Sequence, residues 1–295
     1  LNATIKEKLQ TETVSVGGSN KTYASILADY GSVTDLDAWV AQYTNPKREG
    51  AIKALRSFTR SIKTQMATVK SGTPTANDLA VGLTKIMTGY VLANEVASGR
   101  ASLGDIISVS RTAWSQNPTF KGSSLMWIEP GKPVSLEDLE RGVVISSGND
   151  ASVAVAEHLA GTEASFVDVM NQLADELGLD KTAYRNPHGL PHPEHRTTAR
   201  DLATLSVALI NNHPEHYKIY KEQSFTYNGI KQYNRNSLLR SDSTVDGLKT
   251  GYTSEAGYGL VASAQREGMR LVSVVLGSAS KRTRASENSS LLNYG

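Results

Sequence analysis

The sequence predicts an α/β fold in which an antiparallel sheet is flanked by a block of helices. Helical periodicity dominates residues 79–211, and the pattern then changes to short strand-like stretches separated by turn signals. The chain has 295 residues, of which 39% are hydrophobic and 20% are charged, as is typical of globular proteins. It is therefore long and apolar enough to bury a sizeable core.

The helical block is predicted from apolar residues at three- and four-residue steps and from capping residues. The segment over residues 79–97 is mostly apolar, which is typical of a helix buried in a domain core. Ser135 is a predicted N-cap for a helix that continues through Val143. A loop follows over residues 146–149. Further helices are predicted over residues 150–160, 162–177, 197–211 and 281–294.

Strands are predicted mainly in the last third of the chain. Asn228-Gly229, a strong two-residue turn signal, lies inside a strand-like stretch over residues 225–232. A second hairpin is predicted to join residues 257–264 to 269–276 through the turn at 266–268. Near the beginning, a strand is predicted over residues 22–30, followed by an amphipathic, basic helical segment over 34–70.

Composition excludes several classes of function. The formal net charge of +2 predicts no nucleic-acid partner. The absence of cysteine excludes disulfides, thiol nucleophiles and cysteine-ligated metals, and no metal or other cofactor is predicted. No apolar run is long enough to span a bilayer, and the first ten residues carry charges where a signal peptide would have its apolar core.

Three short strings together indicate serine acyl-transfer chemistry. They are Gly82-Leu83-Thr84-Lys85, Ser147-Gly148-Asn149 and Lys249-Thr250-Gly251. Ser-x-x-Lys, Ser-x-Asn and Lys-Thr-Gly form the active-site signature of penicillin-binding proteins and serine β-lactamases. The first string has the lysine and the spacing, and is predicted to lie on one helix, but glycine occupies the place of the serine.

The residue types suit that chemistry. A hydroxyl attacks an amide poorly without a nearby base, and a desolvated lysine one helical turn away can accept its proton. Ser147 can relay a proton to the leaving amine, and Asn149 can hold the substrate backbone. Lys249 and Thr250 supply a positive charge and a hydrogen-bond donor for a carboxylate.

From about Leu83 to its end, the chain resembles the D-alanyl-D-alanine carboxypeptidases among the low-molecular-mass penicillin-binding proteins. The matching stretches include LTKIMTGYV, RGVVISSGNDASVAVAEHLAG, YNGIKQYNRNSLL and VDGLKTGYT. The resemblance implies a β-lactamase/transpeptidase-like fold and a serine peptidase that acts on peptidoglycan stem peptides ending in D-Ala-D-Ala. It also implies acylation by β-lactams and a periplasmic parent protein, associated with the inner membrane through a C-terminal region beyond the catalytic domain, which the chain does not contain.

The resemblance assigns roles position by position. Gly82 stands at the nucleophile position, and Tyr252 places a backbone N–H where it can complete an oxyanion hole. Arg235 matches an arginine that binds the terminal carboxylate, although a surface hairpin arginine is the alternative. His188 lies in a family loop near the site, where we interpret it as structural. The remaining assignments are Lys85 (general base), Ser147 and Asn149 (second motif), and Lys249, Thr250 and Gly251 (third motif).

The chain departs from the family upstream of Leu83. We interpret residues 1–82 as a divergent N-terminal segment and residues 83–295 as the catalytic domain. The segment is either an insertion accompanied by loss of the nucleophile or a foreign segment joined to an authentic domain, and the abrupt boundary favours the second. The literal Ser-x-x-Lys at 278–281 is interpreted as a loop.

The predicted function is a serine-type D-Ala-D-Ala carboxypeptidase domain whose activity is in question because of Gly82. The alternative from another class is a non-catalytic pseudoenzyme that binds cell-wall peptides. A β-lactamase is a third interpretation, but the sequence offers no obvious glutamate for deacylation.

Overall fold

A computed structural model of the chain describes residues 82–254 and 256–295, together with the backbone of residues 13–16 and 19–22. The chain divides into two units, residues 1–71 and 72–295. In the first unit, β1 (Thr13–Val16) and β2 (Ser19–Thr22) pair in antiparallel fashion. The strand predicted over 22–30 falls outside the described residues except for Thr22, and the predicted helical segment over 34–70 falls wholly outside them.

The described part of the second unit begins with a buried helix and contains most of the predicted helical block. Every residue from Lys85 to Ala93 on the first helix is buried, as its apolar composition predicts. The helices are α1 (Lys85–Ala97), α2 (Leu136–Arg141), α3 (Asn149–Ala160), α4 (Glu163–Glu176), α5 (Ala199–Asn212), α6 (Pro214–Tyr217), α7 (Leu238–Ser241) and α8 (Lys281–Tyr294).

Capping residues fix the starts of several helices. The Ser135 side chain accepts a hydrogen bond from the backbone N–H of Asp138, which confirms the predicted cap of α2. Thr162, Thr198 and Ser280 cap α4, α5 and α8 in the same way. Ser278 ends a strand and Lys281 begins α8, so the literal Ser-x-x-Lys is a connection, as predicted.

Antiparallel pairing connects all the described strands. The central sheet has the order β7-β8-β9, formed by Val245–Thr253, Gly257–Arg266 and Met269–Ser278. Two smaller sheets pair β3 (Ile106–Ser108) with β4 (Pro133–Ser135), and β5 (Ser224–Tyr227) with β6 (Ile230–Tyr233).

Both predicted hairpins are present. Asn228 and Gly229 have φ of 49° and 75°, and Glu267 and Gly268 have φ of 48° and 79°. Two consecutive positive φ values are typical of the two-residue turns that match the twist of paired strands. The predicted antiparallel sheet flanked by helices is confirmed.

One core joins α1 to the helices and to the sheet. Ile86 and Met87 of α1 belong to the same buried cluster as Val153 of α3 and as Leu248 and Val261 of the sheet. Burial of each such side chain contributes about 1.5–3 kcal/mol to stability. This packing fixes α1, and with it Lys85, between α3 and strand β7.

The first turn of the predicted 79–97 helix differs from the expectation. The helix begins at Lys85, and Gly82 lies in a turn with φ of 82°, so Gly82 and Lys85 do not share a helical face. Close backbone neighbours explain the difference. A β-carbon on Gly189 would lie 2.8 Å from the amide nitrogen of Gly82, and one on Gly82 would lie 3.0 Å from Cα of Gly251.

Candidate active site

Lys85 is a buried amine with two short hydrogen bonds. Its Nζ donates to Oδ1 of Asn149 at 2.7 Å and to the carbonyl oxygen of His188 at 2.6 Å. Burial, reinforced by the nearby Arg235 guanidinium, lowers the pKa of Lys85 to about 7, while Asp150 opposes the shift. A neutral amine has two N–H groups and one lone pair. The two acceptors therefore leave the lone pair free, as a general base requires.

The second motif follows a π-helical turn, Gly142–Ser146, which ends α2. Ser147 has a left-handed backbone, with φ of 61°, and its N–H donates to the carbonyl of Gly142. Gly148 must lack a side chain, because a β-carbon there would lie 3.0 Å from the amide nitrogen of Met126. The motif thus reverses the chain sharply and starts α3 at Asn149, whose side chain reaches Lys85.

Asp150 anchors this turn from beneath. Its fully buried carboxylate accepts hydrogen bonds from the backbone N–H groups of Met126, Trp127 and Ile128, at 2.8, 2.8 and 3.2 Å for the shortest contact of each. Asn149 is also held through its own N–H, which donates to the carbonyl of Ser124 at 2.8 Å. The backbone that carries the Asn149 carboxamide is therefore held from two sides.

The third motif lies within β7, with Lys249 and Thr250 buried. Arg284 of α8 donates through Nη1 to the carbonyl oxygens of Gly251 and Gly259, at 3.1 and 3.3 Å. The C=O and N–H of one trans peptide point in opposite directions. Because the Gly251 carbonyl faces Arg284, the N–H of Tyr252 faces the other way.

The predicted cationic residues are close enough for their charges to interact. Burial lowers the pKa of Lys249 well below its usual range, and the positive charges of Lys85, Arg235 and Arg284 lower it further. Arg235 is exposed and lies just beyond β6, between the buried Asn234 and Asn236. The Asn236 side chain donates to the carbonyl of Gly247 at 2.9 Å, which ties this loop to the start of β7.

His188 contributes its backbone to the site. Its carbonyl accepts from Lys85, whereas its buried ring packs edge-on against Phe120 with 6.0 Å between centroids. Burial, together with the charge on Lys85, lowers the pKa of His188 to about 3, so the ring is neutral at pH 7. Nδ1 of this ring accepts the N–H of Leu190 at 3.1 Å.

Three residues that contact the candidate site or its motifs are absent from the sequence prediction. Asp150 directly follows the second motif, and this adjacency is the sequence signal that could have indicated its importance. Thr84 lies inside the first motif, and its Oγ1 is 2.8 Å from Nε2 of the buried His195. Since Nδ1 of His195 accepts the N–H of Arg185, Nε2 donates to Thr84. Arg284 donates to the carbonyl of Gly251, 33 residues earlier in the chain, and no local sequence pattern predicts this contact.

Comparison with known proteins identifies the family of the chain. A model of the D-alanyl-D-alanine carboxypeptidase family, Peptidase_S11, matches residues 70–280. The chain belongs to the D-alanyl-D-alanine carboxypeptidase family. Within this family, the chain is 49% identical over 215 residues to D-alanyl-D-alanine carboxypeptidase DacC of Escherichia coli, a match that covers 72% of this chain and 54% of that protein. It is 44% identical over 224 residues to DacA of Haemophilus influenzae, covering 75% and 56%. The chain thus spans about half the length of these curated relatives.

Solved structures of the family are similar in fold. Penicillin binding protein 5 from Haemophilus influenzae has a TM-score of 0.71 and 44% identity, and the match covers 73% of this chain and 62% of that one. Penicillin-binding protein D2 from Listeria monocytogenes, solved with cefotaxime bound, has a TM-score of 0.65 and 30% identity, covering 72% and 85%. No helix in the described part of the chain is long and apolar enough to cross a membrane.

Proposed function

We propose that this domain recognises peptidoglycan stem peptides ending in D-Ala-D-Ala, and the β-lactams that imitate them. Its cleft combines a candidate general base with the second and third motifs, as removal of the terminal D-Ala through an acyl-enzyme requires, but residue 82 offers neither a hydroxyl nor a helical position beside Lys85. With glycine at residue 82, the chain binds these ligands without acylation at that position. Such ligands occur at the bacterial cell wall, so we place the domain in the periplasm.

The observation that carries this proposal is the buried Lys85–Asn149 contact beside the third motif. Asn149 offers a carboxamide for the substrate backbone, and Arg235 offers a positive charge for a carboxylate. That anion would in turn favour the protonated form of the neighbouring Lys249. A desolvated amine with a pKa of about 7 has no evident structural purpose, because its burial costs stability. It is the property expected of a general base.

Because residue 82 is glycine, it has no hydroxyl from which this base could take a proton. In acyl transfer, a hydroxyl oxygen forms the new bond to the peptide carbonyl while its proton passes to the base and D-Ala leaves. Gly82 has no hydroxyl to donate, and loss of the nucleophile in a serine hydrolase costs roughly 10⁶-fold in kcat. Recognition depends on Asn149, Lys249, Thr250 and Arg235, all of which are present.

Calorimetry combined with intact-mass measurement tests the proposal. We expect saturable binding of an acylated D-Ala-D-Ala dipeptide, no binding of the L-Ala-L-Ala control, and no mass increase after incubation with benzylpenicillin. Peptide mapping first confirms glycine at position 82. Absence of binding would overturn the recognition claim, and a penicilloyl adduct or peptide turnover would overturn the claim of binding without acylation.

A further inference from the structure

Trp127 has an unfavourable backbone conformation and an exposed side chain. Its φ is 73°, in the left-handed region that bulky residues rarely adopt, and 52% of the residue is exposed. Such a conformation costs on the order of 1–3 kcal/mol and persists only where surrounding contacts enforce it. Its neighbours Met126 and Ile128 are fully buried, so the large indole alone faces solvent at this point.

The enforcing contact is the carboxylate of Asp150. The N–H groups of residues 126–128 converge on it, and this curvature requires the left-handed turn at Trp127. The carboxylate needs only the backbone N–H of residue 127. Glycine or asparagine would supply that N–H at lower conformational cost. Folding therefore explains the backbone at this position but not the indole.

The position of Trp127 relates it to the candidate site. The preceding residue, Met126, packs against Gly148 of the second motif. The Met126 carbonyl also accepts a hydrogen bond from Nε2 of Gln232 at 3.0 Å, and β6 then leads to Arg235. Trp127 thus lies on the segment that connects the Ser147–Asn149 turn to the hairpin carrying Arg235.

We propose that the Trp127 indole is a binding platform for the acylated end of the ligand, the apolar acylamino group on the N-terminal side of D-Ala-D-Ala or at the corresponding position of a β-lactam. This inference rests on the proposed function. Lys249 and Arg235 attract the carboxylate end, and Asn149 is the group expected to hold the ligand backbone. In this proposal the carboxylate end lies at Arg235 and the acylated end lies on the side of the second motif, beside the segment that carries the exposed indole. A flat aromatic surface binds apolar and aromatic groups at low conformational cost.

The test compares two penicillins and a matched set of variants. Benzylpenicillin carries an aromatic acylamino group, and 6-aminopenicillanic acid lacks it. Trp127→Asn removes the ring but tolerates the left-handed backbone, whereas Trp127→Phe retains an aromatic ring. Tyr294→Ala, an exposed aromatic on α8, is the control. Dissociation constants come from calorimetry, and thermal unfolding verifies that each variant folds.

We expect Trp127→Asn to weaken benzylpenicillin binding roughly tenfold, equivalent to about 1.4 kcal/mol, with 6-aminopenicillanic acid unaffected. Trp127→Phe should recover most of the affinity, and benzylpenicillin should change indole emission in the parent chain but not in Trp127→Asn. Unchanged benzylpenicillin binding by a folded Trp127→Asn overturns the platform and leaves the proposed function intact. Equal weakening of both penicillins also overturns it, because the effect would not depend on the acylamino group. Failure of the parent chain to bind either compound overturns both proposals.

Discussion

Gly82 lies directly against Gly251, so that the first and third motifs meet backbone to backbone. A β-carbon on Gly82 would be 3.0 Å from Cα of Gly251 and 3.2 Å from the carbonyl oxygen of Thr250. Both distances are tighter than most real β-carbon contacts, and both near atoms belong to the backbone of a strand held in the central sheet, so the strand would have to shift by a few tenths of an ångström. The turn at residue 82 thus has a local geometry that suits glycine.

This geometry predicts that Gly82→Ser alone does not restore acylation. The serine would carry a positive φ, which costs about 1–2 kcal/mol, and would press on Gly251. We expect a lower free energy of unfolding and little labelling by fluorescent penicillin. Gly99→Ser is a matched control, because Gly99 has φ of 73° and a β-carbon added there would meet nothing within 4 Å. Full labelling of Gly82→Ser at unchanged stability would show that the turn converts to helix without cost.

Lys85→Met should stabilise the protein most at low pH. The folded pKa of about 7 lies below the unfolded value of 10.5, so the unfolded state binds more protons between these values. The cost of burying Lys85 is full below pH 7 and disappears as pH rises to 10.5. At about 1.4 kcal/mol per pKa unit, the free energy of unfolding of the variant should exceed that of the parent chain by a few kcal/mol at pH 6, and by less at pH 9. Urea unfolding at both pH values measures this, and a pH-independent difference would contradict it.

Arg235→Gln should weaken ligands that end in a free carboxylate. Arg235 is one of the positive charges acting on Lys249, which makes this region of the cleft favourable for an anion. We expect 10- to 100-fold weaker binding of the acylated dipeptide, on the scale of a lost charge-assisted contact. The C-terminal amide of the same dipeptide should be insensitive, and Arg282→Gln on α8 should have no effect. Equal losses for acid and amide would assign Arg235 a structural role.

Asp150→Asn should destabilise the second motif. The carboxylate accepts four backbone N–H groups, from residues 126–128 and from Ala151, and a carboxamide would turn an NH₂ group toward some of these donors. A cost of about 3 kcal/mol is expected from unsatisfied buried donors. Asp175→Asn, on the exposed part of α4, is the control. Denaturant unfolding measures the loss, and a difference of less than about 0.5 kcal/mol, the size of an ordinary surface effect, would contradict the role of this carboxylate.

Local sequence signals predicted most of the described elements. Ser135 and the Asn228-Gly229 pair act within a few residues, so the cap of α2 and the β5–β6 hairpin followed directly from them. The three motifs likewise predict a site, and Lys85 and Asn149, from the first and second motifs, are in direct contact. The predicted roles of Ser147, Thr250 and Tyr252 remain predictions, because the geometry positions these residues without showing a reaction.

The errors arose where distant segments determine local structure. The helical spacing of Gly82 and Lys85 predicted one helix, but contacts with Gly189 and Gly251, more than 100 residues away, hold Gly82 in a turn. The role of Arg284 could not be predicted for the same reason. Its two carbonyl partners lie on different strands, and only their pairing creates a place for the guanidinium.

The hydrogen bonds from Arg284 to the carbonyls of Gly251 and Gly259 form late in biosynthesis. Ribosomes deliver the Lys249–Gly251 stretch well before they deliver α8. Until that guanidinium reaches the paired carbonyls of β7 and β8, the peptide plane that presents the Tyr252 N–H lacks its support. During synthesis, therefore, all three motifs are complete before the contact that orients the Tyr252 peptide plane can form.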